Sequence, residues 1–217
     1  QAGYHDLGDY DIWPFEAERG DPIRLGMGET SGSGYSPFLR LVDPDGATIT
    51  TSTGPDSAYI QTVAATDGTY TAVASDSGKD NAGGYSLSLA LLPYAFDTSG
   101  DNGILSNGVA INGSTDRGDF DLWVLSANAG DTLNLSLDEL TGSGYSPLLE
   151  LVSPDGSIVA SDTDPDTAVI NYFVPVSGVY YLVVSDSGKD DVGTYELDTS
   201  GFTGPTPSFS MITPDLE

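Results

Sequence analysis

Residues 63–78 read VAATDGTYTAVASDSG, and residues 173–188 read FVPVSGVYYLVVSDSG. Each is a short apolar run, a turn built on a glycine (Gly68 or Gly178), and an alternating run led by a tyrosine (Tyr70 or Tyr180). Alternation with a period of two marks half-buried strands, so both stretches read as strand, turn, strand. The two lie 110 residues apart, and the same offset relates GSGYSP (32–37) to GSGYSP (142–147), GDYDIW (8–13) to GDFDLW (118–123) and VDPDG (42–46) to VSPDG (152–156). No insertion or deletion interrupts the register. A period this long holds a whole domain, so the chain reads as two copies of one module rather than a solenoid of small repeats.

The alternation extends outward from that hairpin. In GDYDIWPF, Asp9, Asp11, Trp13 and Phe15 share a face, and Asp119, Asp121, Trp123 and Leu125 repeat it. In PFLRLVDPDG, Leu39 and Leu41 oppose Phe38, Arg40 and Val42; Arg40, matched by Glu150, marks the outer side, and Pro-Asp-Gly makes a hairpin turn. The closing segments GGYSLSL and GTYELDT turn Tyr85 and Leu87, or Tyr195 and Leu197, inward. These tyrosines read as core and corner residues rather than a sugar-stacking platform, because they fall on the inward parity. Turn clusters recur every ten residues or so and no helical period is present, which predicts an all-β, antiparallel β-sandwich in each copy. The expected boundaries are 1–92 for the first module, 93–103 for a linker, 104–202 for the second module and 203–217 for a tail.

The chain has 217 residues, enough for two cores without staples, and no cysteine, which excludes disulfides and thiolate metal sites. Its apolar runs are too short to insert in a membrane, and it opens on Gln1, the pattern expected of a processed product. Thirty-three acidic residues stand against six basic ones, divided 15 to 4 before residue 111 and 18 to 2 after it. Such a surface repels phosphate backbones, which argues against nucleic acid as a partner. Most of the acids are Asp in Gly- and Ser-rich turns, a pattern open to turn chemistry, to a saline habitat and to calcium.

The ordered set of Asp9, Asp11 and Trp13 (Asp119, Asp121 and Trp123), the D/S-P-D-G hairpin, Gly68 and Tyr70 (Gly178 and Tyr180), and a final G-x-Y-x-L at Gly83, Tyr85 and Leu87 (Gly193, Tyr195 and Leu197) resembles the bacterial pre-peptidase C-terminal domain. The resemblance covers both modules. It implies two tandem jelly-roll-like β-sandwiches, non-catalytic and extracellular, in some members calcium-bound or ligand-binding, as in the collagen-binding modules of clostridial collagenases. It further implies calcium between a first-strand Asp pair and the preceding linker, here Asp9 and Asp11 with Asp6, and Asp119 and Asp121 with Asp116. Read from the residues alone, an inward Asp is either metal-bound or a cap on backbone N–H groups, since burial alone is costly.

Little else carries chemistry. His5 is the one histidine, with Thr115 at the matching place, and its position near a terminus predicts a surface side chain. A Ser/His/Asp triad or a zinc site would hang on that residue, so no enzyme is expected. The SDSGKD loops offer Asp76 with Asp80 and Asp186 with Asp190, with Lys79 and Lys189 at hand to neutralise them. Asn112 and Asn134 head N-x-S sequons, and Tyr10 and Phe38, off the core parity, are the contact residues if the chain binds a glycan or a matrix protein.

One asymmetry breaks the repeat. The second module has a leading stretch, ILSNGVAING (104–113), with Leu105, Val109 and Ile111 on one strand face, and the first has no counterpart. The tail holds SFSMIT (208–213), with Phe209 and Met211 on one face and Ile212 beside them. A module short of its leading strand and a chain with a spare one predict head-to-tail self-association by strand donation into an extracellular fibre or matrix. The competing expectations are a tail folded back on its own first module, a fragment cut from a longer parent protein, and a carbohydrate- or protein-binding accessory module of a secreted hydrolase.

Overall fold

The Pro-Asp-Gly turns close their hairpins through one side chain. Asp43 Oδ1 accepts the N–H groups of Asp45 at 3.0 Å and Ala47 at 2.7 Å, while Gly46, at φ 84°, donates to the Asp43 carbonyl at 3.0 Å. In the second copy Ser153 takes that place, with its hydroxyl on the Ser157 carbonyl at 3.0 Å. A computed structural model describes residues 1–92, 102–142, 144–207 and the backbone of 95–96.

The first copy holds β1 (Ala2–His5), β2 (Asp11–Ala17), β3 (Pro22–Ser31), β4 (Pro37–Val42), β5 (Thr48–Thr53), β6 (Ser57–Val63), β7 (Gly68–Asp76) and β8 (Gly83–Leu91). Two short strands follow, β9 (Ala95–Phe96) and β10 (Gly103–Ile104). The second copy holds β11 (Ile111–Thr115), β12 (Asp121–Ala127), β13 (Thr132–Thr141), β14 (Pro147–Val152), β15 (Ile158–Thr163), β16 (Thr167–Phe173), β17 (Gly178–Asp186) and β18 (Gly193–Ser200). The described residues form two compact units that follow the two copies, except that Arg117–Asp119 belongs with the first. None of the described residues forms a helix long and apolar enough to cross a membrane.

Each unit is a pair of sheets. In the first, β1-β8-β3-β6, with β9 beside β8, faces β2-β7-β4-β5; in the second, β11-β18-β13-β16 faces β10-β12-β17-β14-β15. All pairings are antiparallel except that of β10 with β12. The register repeats down to its irregularities: β3 slips between Glu29 and Ser31 as β13 does between Glu139 and Thr141. Alternate residues meet between the sheets. Leu25, Leu39, Ile60 and Tyr70 build one core and Leu135, Leu149, Ile170 and Tyr180 the other, as the inward parity predicts. Two tandem β-sandwiches are therefore the fold.

The asymmetry differs from the one expected. β1 pairs β8 as β11 pairs β18, so the first unit has its leading strand. ILSNGVAING is no single strand either. Gly108 adopts φ 75°, Val109 N–H turns back to the Ser106 carbonyl at 3.1 Å, and Val109 is exposed while Leu105 is buried. What the second unit adds is the short parallel strand β10 and the turn after it.

Gly113 shows how tightly a sandwich closes. The Tyr195 ring crosses β11 directly beneath it, and a methyl group there would lie inside that ring; Gly3 and Tyr85 repeat the arrangement. Gly113→Ala should displace Tyr195 from the core and lower stability by about 1–3 kcal/mol, the usual range for overpacking. Urea denaturation of the variant, with Asn112→Ala on the exposed side of the same strand as a control, measures it.

Candidate functional site

The inward Asp of each first-copy motif is bound by side chains. Tyr85 reaches across from β8, donates its hydroxyl to Asp11 Oδ2 on β2, and receives Trp13 Nε1 at 3.2 Å. In the second unit Tyr195 donates to Asp121 Oδ2 at 2.6 Å and receives Trp123 Nε1 at 2.9 Å. This Asp–Tyr–Trp bridge ties the two sheets through the core. Burial, then the hydrogen bond to Asp11, pushes the Tyr85 phenol well above its ordinary pKa, which keeps it a donor.

His5, expected at the surface, is wholly buried in the first unit. Its ring stacks on Tyr85 at 4.5 Å, with Nδ1 2.6 Å from the Tyr35 hydroxyl and Nε2 3.3 Å from Asp11 Oδ2. A β1 residue facing inward beside a carboxylate has better partners there than in water. Thr115 holds the same place in the second unit, buried beside Tyr145, whose hydroxyl interacts with its own.

The carboxylates proposed for calcium are dispersed. Asp9 Oδ1 accepts the N–H of Tyr10 at 2.9 Å, while Asp11 is taken by Tyr85. Asp119 belongs with the first unit, where Ser88 donates to it at 2.7 Å, whereas Asp116 and Asp121 belong to the second. Among the described residues, the carboxylates whose oxygens come within 4.8 Å of one another are Asp186, Asp190 and Asp191 in the second SDSGKD loop. Oxygen donors of that kind suit a hard cation. Asp186 already serves the backbone, accepting N–H groups of Ser146 at 2.9 Å, Asp190 at 3.2 Å and Asp191 at 3.4 Å. In the first loop Asp76 does the same for Ser36, Asp80 and Asn81. Lys79 Nζ lies 4.9 Å from the centre of the Tyr10 ring, and Lys189 Nζ donates to Ser185 Oγ at 2.7 Å and the Asp186 carbonyl at 3.0 Å.

The largest difference between the units lies at one sheet edge. In the second, β10 runs parallel to β12 with Gly103 against Trp123 and Ile104 against Val124. Leu105 N–H donates to the Val124 carbonyl at 2.8 Å, and Leu122 N–H donates to Asn102 Oδ1 at 2.5 Å. All of β12 is buried. In the first unit β2 ends its sheet, and Ile12 N–H and Pro14 C=O, in the places of Leu122 and Val124, have no partner among the described residues. Ile12 is 65% exposed where Leu122 is 1%. Sequence reasoning missed this edge because the strand that fills it pairs non-locally. Tyr10 is exposed before β2 and Phe38 half-buried on β4; Asn112 and Asn134 are exposed on β11 and β13. Phe209, Met211 and Ile212 lie outside the described residues.

No family model matches this sequence, and no curated protein matches it. Among solved structures the chain is similar to the pre-peptidase C-terminal domain of a Bacillus anthracis collagenase, at 18% identity and a TM-score of 0.40 over 48% of this chain and 99% of that one. It is also similar to the Aeromonas hydrophila periplasmic inhibitor of g-type lysozyme, at 14% identity and a TM-score of 0.36 over 46% and 96%. A third likeness is the CUB1-EGF-CUB2 region of human MASP-1/3, at 10% identity and a TM-score of 0.25 over 92% and 99%. Function has to be read from the chain's own residues.

The Asp76 loop gives a pH dependence. Burial alone would raise its carboxyl, but N–H groups of Ser36, Asp80, Asn81 and Lys79 outweigh that and hold it below the ordinary value. A depressed folded-state pKa adds stability above the unfolded value, about 3.9, that is lost as pH falls through the folded one. Asp76→Asn should therefore lower the unfolding free energy measured by urea at pH 7, by roughly 2 kcal/mol for bonds to a charged acceptor, and narrow the gap to the parent at pH 3. Equal losses at both pH values would show that the charge contributes nothing.

Proposed function

We propose that this chain is a non-catalytic structural subunit, acting outside the cell, whose first unit is completed by a strand donated from a second copy. The observation that carries this is the contrast between β12, covered by residues 102–105, and β2, which ends its sheet with Ile12 exposed. The covering segment needs four residues, and residues 208–217 give ten, with Phe209, Met211 and Ile212 able to take the part that Leu105 plays. An extended strand covers about 3.3 Å per residue, so the tail is long enough to reach across an edge and leave a short lead. A tail on one copy and an edge on another make a heterologous contact, which propagates head to tail.

The sealed position of His5 supports the non-catalytic part of this reading. In a chain without cysteine it is the residue on which a hydrolytic triad would be built, and it has no access to substrate.

The contact is small. Burying one Ile contributes about 1.5–3 kcal/mol and a short strand adds few hydrogen bonds, so a single junction should hold in the micromolar to millimolar range. Sedimentation of the full chain should show concentration-dependent association that deletion of residues 208–217 removes. A peptide spanning 203–217, added to the deleted protein, should shift the amide resonances of Ile12 and Trp13 and leave Leu122 in place. A full chain that stays monomeric at millimolar concentration, or a deletion that associates unchanged, would overturn the proposal.

A further inference from the structure

We infer that the outer face of the β11-β18-β13-β16 sheet is a binding site for a neutral glycan, a property separate from strand donation. An open groove of about 240 Å³ lies there, lined by Asn134 and Ser136 of β13, Asn171 of β16, Asp198 and Ser200 of β18, and Gly108. The register sets these side chains in rows. Asn171, Asn134 and Ser200 stand abreast on three adjacent strands, and Val169, Ser136 and Asp198 form the next row. With strands about 4.8 Å apart, each row presents polar groups across roughly 10 Å of rigid surface.

The chemistry is that of hydroxyl recognition. Two carboxamides, two hydroxyls and one carboxylate supply both donors and acceptors. Asn171, Asp198 and Ser200 spend no side-chain hydrogen bond within the protein among the described residues. Beside them Val169 and Phe173, 46% and 65% exposed, stand on the same side of β16 and offer apolar surface to the C–H face of a sugar ring. A peptide adding as a strand is disfavoured here, because the groove is centred on β13, which is hydrogen-bonded on both sides, and at the edge strand β16 the N–H of Val169 already donates to Asp162 Oδ2 at 2.7 Å. The net charge of −27 and Asp198 within the groove oppose an anionic polymer.

The segment that the first unit lacks builds one wall. Gly108 N–H donates to the Thr199 carbonyl at 2.8 Å, and Asn107 Oδ1 accepts the N–H of Gly201 at 2.8 Å, so the 106–109 turn is fastened along β18. The matching face of the first unit carries Arg24 and Gly26, both buried, in place of Asn134 and Ser136. Among the described residues, the first unit does not repeat the groove at this place.

The test is affinity electrophoresis of the full chain through soluble neutral glucan, xylan, mannan and chitooligosaccharide, with titration calorimetry on whichever retards it. At least one should retard the parent. Asn171→Ala and Phe173→Ala should each weaken binding tenfold or more with unchanged melting temperature, and Ser200→Tyr, which fills the groove, should abolish it. Gln61→Ala, at the first unit's counterpart of Asn171, should bind like the parent. Deletion of residues 208–217 should leave retention intact, which separates this site from strand donation. No retention on any of the four, retention indifferent to all three groove substitutions, or a mass increment showing a glycan attached at Asn134 would overturn the assignment. So would retention of a collagen peptide, in place of the sugars, through the same residues.

Discussion

The hydrogen bond from Tyr85 or Tyr195 to the carboxylate on the facing sheet is the constraint from which the rest of each unit follows. A sandwich core is apolar, and an ionised Asp within it is tolerated when donors surround it. The phenol supplies one, and by crossing from β8 to β2 or from β18 to β12 it fixes how the two sheets lie over each other. Everything near it yields to that crossing. Gly3 and Gly113 have no side chain because the ring occupies the space, and Trp13 and Trp123 turn their indole N–H to the same oxygen. An interaction that needs four residues at fixed places explains why the motif repeats with so little drift.

The two copies spend this shared frame differently. In the first, His5 joins the bridge, stacks on Tyr85 and reaches Tyr35, while Asp11 stays partly open to solvent beside an edge strand that no other described strand covers. In the second, Asp121 is sealed by residues 102–105, and a threonine stands where the imidazole would be. There the buried hydroxyls of Thr115 and Tyr145 interact with each other. The two units thus finish the same bridge differently, by an imidazole in one and by an added edge strand in the other.

Much of this was legible in the sequence, because it rests on local pattern. Period-two parity placed Leu39, Tyr70, Tyr85 and their partners inward, and the offset set the number of units. His5 was misplaced because its burial depends on Tyr35 and Asp11, neither of which its neighbours in the chain announce. ILSNGVAING was read as one strand on the strength of its apolar alternation, although Asn107-Gly108 was a turn signal within it. β10 pairs in parallel with a strand nearly twenty residues further on, and no periodicity encodes such a partner. The groove was out of reach for a related reason: parity puts Asn134 and Asn171 outward, but their alignment in one row is a property of register.

Pro14 lies on the exposed strand β2, where the second unit has Val124. A proline in an edge strand removes one backbone donor and interrupts any continuous ladder that a neighbouring chain would try to extend. The carbonyl that a short added strand uses is still present. The edge therefore discriminates by length, admitting a brief segment and resisting a long one. The same ring works against amyloid-like extension from this edge, which needs an unbroken run of donors and acceptors.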